Sequence, residues 1–425
     1  MAAPAGCVIA DKLPPREFIR GIVMTMKTPR YHALDGARGV AAFVVVLCHC
    51  LSRAYRHPDL SPLQLNALKA FLTLGHLSVI FFFVLSGFAL GIRYALGKNS
   101  SYWRFQLGRV VRLVPCVAAV VATATALRLM TPDLPVEMLS GAFVDLWKLP
   151  INFEALVRHI FLIGVSRTDT DLDPPLWSLV YEMRAGLFIP LFMYSLKRYS
   201  LPINILLIVL LYAFSSISLS LVGLPNPVFY GETLFGSLLA TFHYLGSFLL
   251  GCMICHFLHQ GSERQIAQGS WTFTSLIGFA LLAFWLGGIL AHSDLLLSMA
   301  AGCAIYCILR IEPLKRGLEF APIQFLGKIS YSLYLVHMPV SFAVLRLAGG
   351  EISDGYFLIV APALSLAVAT ILFLIVERPS IALSRLVGRQ SKAGKSIGQA
   401  ERNEERSTIK EASAGEPKDL QVQSL

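Results

Sequence analysis

The stretch YHALDGARGVAAFVVVLCHC, residues 31–50, is apolar enough to cross a bilayer yet carries Asp35, Arg38 and His49. About 20 apolar residues in a helix span the ~30 Å hydrocarbon layer. A charged side chain at that depth costs at least ~2.5 kcal/mol on insertion scales. A plain anchor would be more stable without these three residues, so the segment is read as a working membrane helix. At 100° and 1.5 Å per residue, Arg38 and His49 fall within ~20° of one face and ~16 Å apart along the axis. Asp35, three residues before Arg38, lies near the same face. One polar stripe thus runs from the helix start to an imidazole deep in the apolar layer.

The rest of the chain shares this apolar character. Of its 425 residues, 55% are hydrophobic and only 15% are charged, and the mean hydropathy is +0.64. Soluble domains average about 25% charged residues. The chain therefore reads as an all-α integral membrane protein with the lipid bilayer as solvent. Ten spans are predicted, at about 36–52, 71–93, 110–129, 176–195, 203–221, 235–257, 272–291, 294–310, 325–345 and 356–376. The apolar stretch 156–165 is too short to span and reads as part of a large loop or as a re-entrant piece. Lys and Arg cluster in alternate connections, as in Arg93–Arg112, Lys197–Arg198, Arg310–Arg316 and Arg378–Arg389, whereas Asp133 to Asp173 make one intervening connection acidic. The basic side faces the cytoplasm, which predicts both termini there and an even number of spans.

The formal charge of +10 is spread over loops and tails, which argues against a nucleic-acid partner. Residues 1–30 are expected to be a cytoplasmic tail, 31–380 a single multi-span domain, and 381–425 a polar, disordered cytoplasmic tail. Lys12, Pro14, Pro15 and Arg16 interrupt any signal-peptide core, and Met24 and Met26 stand just before the first span. Most of the eight cysteines lie in apolar runs and read as small buried hydrophobes, with no disulfide framework expected. No internal repeat, Walker loop or nucleotide fingerprint is present.

An imidazole inside a membrane helix points to chemistry or transport rather than packing. Cys48 and Cys50 flank His49, but adjacent helical positions diverge by ~100°, so this CHC is no metal site. Cys252-Met-Ile-Cys255-His256 spells a haem-attachment motif, yet it ends an apolar run rather than lying in an exported loop, so no haem is expected. Glu182, beside Trp177 and Tyr181, needs a proton or a partner, either His49 or an arginine. Its alternative reading is an interfacial glutamate two turns from the loop at Asp173. Tyr334 and His337 share a face with Ser330, as a site wall or as a ridge of interhelical hydrogen bonds. For Asp35 and Arg38 the competing reading is a helix cap and a headgroup anchor.

These residues carry a resemblance. The opening stretch, with arginine and histidine separated by ten residues, resembles the signature of acyltransferase family three. FFFVLSGFAL (81–90, containing Ser86) resembles its second-span motif. Arg109-Val-Val-Arg112-Leu-Val-Pro115, LWSLVYEM (176–183), GKISYSLYLVHMPV (327–340) and VERP (376–379) follow in the family's order. The resemblance covers about residues 31–380; Ala37 replaces a common leucine, and no hydrolase-like domain follows the last span.

The resemblance implies a membrane O-acyltransferase acting on a hydroxyl of a carbohydrate, a lipid-linked glycan or a similar acceptor, in a bacterial inner (plasma) membrane. Acetyl is the expected group, acyl-coenzyme A the donor, and no cofactor is expected to be tightly bound. His49 suits general-base work, its ordinary pKa of about 6.5 being matched to neutral pH. Arg38 and Glu182 complete the expected catalytic set. Arg109 and Arg112, at the face where acyl-coenzyme A is available, are assigned to the donor's phosphates because guanidinium forks match phosphate oxygens. Asp35, Ser86, Trp177, Tyr334 and His337 are acceptor or support candidates. The runner-up is a proton-coupled multi-span transporter, which would show paired halves and broken spans; a non-catalytic scaffold would not retain buried ionisable groups.

Overall fold

The computed structural model describes residues 30–53, 60–96, 101–135, 138–144, 146–164, 171–223, 233–259, 278–284 and 293–388. Within them the chain is all-helical. The elements are α1 (His32–Leu51), α2 (Pro62–Ala95), α3 (Tyr102–Met130), α4 (Phe153–Phe161), α5 (Leu176–Arg198), α6 (Leu201–Leu221) and α7 (Leu234–His259). There follow α8 (Asp294–Arg310), α9 (Glu312–Leu318), α10 (Ala321–Leu347), α11 (Asp354–Leu372), a π-helical turn (Phe373–Glu377) and α12 (Arg378–Gly388).

Seven described helices are long and apolar enough to cross a membrane: α1, α2, α3, α5, α6, α7 and the continuous Asp354–Val387 run. The α8–α9 pair, bent by 95°, makes an eighth if it counts as one span. Of the ten spans read from hydropathy, the described residues thus supply seven or eight. Most of the expected 272–291 span lies outside the described residues. Helix α10 covers the expected 325–345 span, but its serines, tyrosines and His337 make it less apolar than the seven. The expected 1–30 tail and most of the 381–425 tail lie outside the described residues, α12 itself continuing to Gly388.

Helix α2 runs through the centre, packed on α1, α5, α7 and α8, while α10 packs on α1, α11 and α3. Its start is fixed by a capping box, in which Ser61 and Gln64 satisfy each other's backbone N–H, with Pro62 at the first helical position. Helices α1 and α10 cross so closely that a Cβ on Gly39 would collide with the main chain of Leu326 and Gly327. Glycine at such a crossing lets two backbones meet. That contact sets the register between α1 and α10, on which the site depends.

The connection between α3 and α5 is tied down at one end of the bundle. Asp171 accepts from the backbone N–H groups of Lys148 (2.9 Å) and Leu149 (3.3 Å) and pairs with Arg128 at 3.1 Å. Arg346 of α10 pairs with Asp133, and buried Arg53 donates to the Gly350 carbonyl at 2.7 Å. Asp173 differs from these: it is fully buried, and neither carboxylate oxygen has a hydrogen-bond partner among the described residues. Burial holds its carboxyl well above the usual carboxylate range.

A raised folded-state pKa means that the folded protein keeps a proton the unfolded chain has released. The stability it contributes is full below the ordinary carboxylate range and is lost as pH climbs toward the raised value. Asp173→Asn, neutral at every pH, should therefore match the wild type near about pH 4 and be the more heat-stable protein near about pH 8. Thermal midpoints in detergent across that window test this. Parallel curves for the two proteins would show that Asp173 carries no such proton.

Candidate active site

The close α1–α10 crossing brings the polar stripe of α1 against the ridge of α10. Arg38 donates Nε–H to Ser330 Oγ at 3.1 Å and Nη2–H to Asp35 Oδ1 at 3.2 Å. Asp35 also holds Arg30 at 2.8 Å, so it bridges two arginines and does not cap the helix. Three turns along, His49 Nδ1 lies 2.8 Å from His337 Nε2, with the rings stacked 5.0 Å apart.

The protons on these two rings follow from the atom beyond them. His337 Nδ1 lies 2.8 Å from the Tyr334 carbonyl oxygen, which can only accept. Nδ1 of His337 therefore carries its proton, and in the neutral ring Nε2 is the acceptor. His49 must then donate through Nδ1, which leaves the lone pair of its Nε2 without a partner among the described residues. His337 is fully buried. A carbonyl and a histidine of α10 thus select the base-competent tautomer of His49.

Two cavities lie along this seam. One, of about 150 Å³, is lined by Arg38, Ser86, Arg112, Glu182, Tyr334 and Glu377, among others. The second, of about 270 Å³, is lined by His49, His76, Pro174, Pro175, Trp177 and Tyr334, among others. Tyr334 belongs to both walls. Its hydroxyl is 2.8 Å from Ser178 Oγ and donates to the Pro175 carbonyl at 3.3 Å, and its ring packs edge-on against Phe82. Trp177 packs edge-on against Phe83 at 6.0 Å beside the histidine chamber.

The arginines of the Arg-x-x-Arg segment have different surroundings. Arg109 is buried, donates Nη2–H to the Glu182 carbonyl at 2.8 Å and lies 3.9 Å from its carboxylate. A Cβ on Gly186 would strike the Arg109 guanidinium, so that glycine makes room for it. Arg109 thereby ties α3 to α5. Arg112, one turn on, is exposed on the chamber wall and makes no hydrogen bond or ion pair among the described residues. Of the two partners expected for Glu182, an arginine is the one it meets; its carboxylate lines the arginine chamber rather than approaching His49.

Two groups of polar residues were missed in the sequence. Glu377 closes the VERP motif quoted above but was assigned no role. Its Oε2 accepts from Ser332 Oγ at 2.6 Å and from Ser332 N at 3.2 Å, and it lines the arginine chamber at the end of the π-helical turn. Such turns are frequent at functional sites, and the motif itself was the available signal. The other group is His76, His243 and Asp294, one residue from each of α2, α7 and α8, which no motif or periodicity connects. Cys252, of the haem-like spelling, is inside α7 and gives its thiol hydrogen to the Gly87 carbonyl at 3.3 Å.

A bundle with cationic and imidazole chambers end to end inside its helices is the build of a membrane group-transfer enzyme. Residues 31–377 match the family model described as "Acyltransferase domain", and the chain belongs to this family of integral-membrane acyltransferases. It is 26% identical over 401 residues to acyltransferase MdmB of Streptomyces mycarofaciens, covering 86% of this chain and 95% of that protein. It is 25% identical over 341 residues to O-acetyltransferase OatA of Staphylococcus aureus, covering 74% of this chain and 51% of OatA. The chain thus spans about half the length of OatA. No solved structure matches it.

Proposed function

We propose that this protein is an O-acyltransferase that moves a short acyl group, acetyl first among them, from acyl-coenzyme A to a hydroxyl of a carbohydrate or lipid-linked glycan. The observation that carries the reading is the chain from the Tyr334 carbonyl through His337 to His49, which leaves the His49 Nε2 lone pair at a chamber wall. The relatives support the acyl chemistry: MdmB is an acyltransferase and OatA an O-acetyltransferase.

In this reading the donor's phosphates sit against Arg38 and Arg112, and the thioester points toward Tyr334 and Ser178. His49 Nε2 takes the acceptor's hydroxyl proton as the oxygen attacks the acyl carbon. The C–O bond forms, the C–S bond breaks, and the proton on His49 passes to the departing sulfur. Glu182 balances the arginine charge from α5, and Glu377 does so from the π-helical turn. Imidazole, guanidinium and hydroxyl groups suffice for acyl transfer by general-base catalysis.

The same reading orients the bundle. An even number of spans places both termini in the cytoplasm of a bacterial inner membrane, as the loop charges require. The arginine chamber then opens toward cytoplasmic acyl-coenzyme A, and the histidine chamber toward the opposite face. Vesicles containing the protein test chemistry and orientation together. Radiolabelled acetyl-coenzyme A should label membrane-associated glycan when offered to inside-out vesicles. Right-side-out vesicles should stay unlabelled until permeabilised. Labelling from the outer face alone would reverse the orientation, and none from either face would remove the acyl-coenzyme A reading.

A further inference from the structure

Helix α4 lies in the connection between α3 and α5, and its 9 residues are too few to cross a bilayer. At 100° per residue, Leu156 and Ile160 share the side that packs on the core, with buried His159 beside them. Phe153 and Phe161, 81% and 60% exposed, stand about 80° apart on the next face round, and exposed Ile163 follows the helix end. Glu154 and Arg158, paired at 2.7 Å, border that stripe on its far side. The helix thus turns two phenyl rings outward between its core face and a charged edge.

Arg184 of α5 fixes the level of this helix in the bundle. It donates Nη2–H to the Ile163 carbonyl at 2.9 Å, and Nη1–H to the Ser237 carbonyl at 2.8 Å and to Thr241 Oγ1 at 3.0 Å. Ser237 and Thr241 follow Leu234, the first residue of α7, by about 5 and 10 Å at 1.5 Å per residue. The end of α4 therefore lies inside the ends of the spanning helices, not beyond them. That is the depth at which amphipathic helices rest in the headgroup–acyl boundary. Helix α4 also packs on α3, whose last residues, Leu129 and Met130, are likewise turned outward. Its inner side is tied to the histidine chamber. His159 Nε2 accepts from Leu172 N–H at 3.3 Å, and the Leu172 carbonyl accepts from Trp147 Nε1–H at 3.0 Å. Pro174 and Pro175, just beyond Leu172, wall that chamber.

We propose that α4 is an interfacial helix seated in the headgroup–acyl boundary of the leaflet on the histidine-chamber side, and that the lipid it rests on holds the Pro174–Pro175 wall in place through Leu172. The occupant of the Phe153–Phe161 face is thus phospholipid. Two phenyl rings and an isoleucine side chain fall far short of the ~800 Å² that a stable protein partner covers. The charged edge suits the same layer, because Glu154 and Arg158 can reach the headgroups while the rings stay among the upper acyl carbons. The inference holds whichever group the two chambers transfer.

The test uses the full-length protein in nanodiscs of phosphatidylcholine and phosphatidylglycerol. A fluorophore is attached at Phe153→Cys, at Phe161→Cys or, as a control on the charged edge, at Glu154→Cys. The described native cysteines are buried or half-buried, and the unsubstituted protein gives the labelling background. Labels at 153 and 161 should be quenched by lipids carrying a nitroxide near the glycerol, and should be about threefold less open to aqueous iodide than the label at 154. Iodide quenching equal at all three positions would overturn the seating. So would shielding of 153 and 161 from both quenchers, because protein would then cover the face. For the wall, Phe153→Glu with Phe161→Glu should speed amide hydrogen exchange across residues 171–177 about tenfold, whereas leucine at both positions should leave it unchanged. Phe161→Gln alone should give a smaller rise in the same segment, so the result is read even if the double variant fails to insert. Exchange at the wild-type rate in the inserted polar variants would overturn the link to Pro174 and Pro175.

Discussion

His49→Ala should lose about 10²- to 10⁴-fold in turnover, the range general-base catalysis contributes, while inserting normally and binding donor as the wild type does. The expectation follows from position. His49 is half-buried at the wall of its own chamber, apart from the chamber that carries Arg38 and Arg112. Its proton moves only during transfer, so its loss belongs in kcat rather than in ground-state binding. The acidic limb of the pH profile, set by protonation of the base, should vanish with it. Substituting His337 with phenylalanine should reproduce part of the defect, because the Nδ1–H of His49 would lose its acceptor and the two tautomers would mix. Single-turnover rates in detergent, alongside donor affinity by equilibrium dialysis, separate the two quantities. A stably inserted His49→Ala protein with near-normal transfer would make the histidine a structural group.

Arg112→Ala should weaken donor binding about tenfold or more, from loss of a charge-assisted contact worth ~1.5–3 kcal/mol. Lysine should restore only part, because it lacks the planar fork. Arg109→Ala should behave differently although the two arginines are one turn apart and look equivalent in the motif. Its guanidinium is already spent on the Glu182 carbonyl and fitted against Gly186. The expected result is a less stable protein with misplaced α5, read as a lower thermal midpoint before any change in donor affinity. Equal loss of affinity from both variants at unchanged stability would restore the symmetrical assignment.

That contrast marks where sequence reading stops. The stripe Asp35–Arg38–His49 was legible because helical periodicity places residues of one segment on one face. Tyr334 and His337 were legible on the same ground, and the apolar windows located α1, α2, α3, α5, α6 and α7. Which of Tyr334's faces meets which chamber was not legible, because that depends on how closely Gly39 lets α10 approach. The division of labour between Arg109 and Arg112 was hidden too, since it is decided by a carbonyl on another helix. Asp294 illustrates the limit most sharply. It opens α8 as an ordinary first-turn acid, and only the packing of α2 and α7 supplies the two histidines that give it meaning. Hydropathy also overcounted certainty at α10, whose buried polar face serves the site and so dilutes the apolar signal.

Tyr334, shared by the walls of both chambers and latched to Ser178, has an electrical consequence. An energised membrane drives each elementary charge with about 2.3 kcal/mol per 100 mV, so a continuous watery passage past His49 would short-circuit it. A phenol ring wedged between two polar vestibules is an insulator. On the acyl-transfer reading proposed above, it would keep ions and hydronium from running through while an uncharged acyl unit needs only a momentary swing of one side chain. On that reading Tyr334 is the position where catalytic speed and membrane tightness are traded against each other, and a smaller residue there is expected to make the protein a leak.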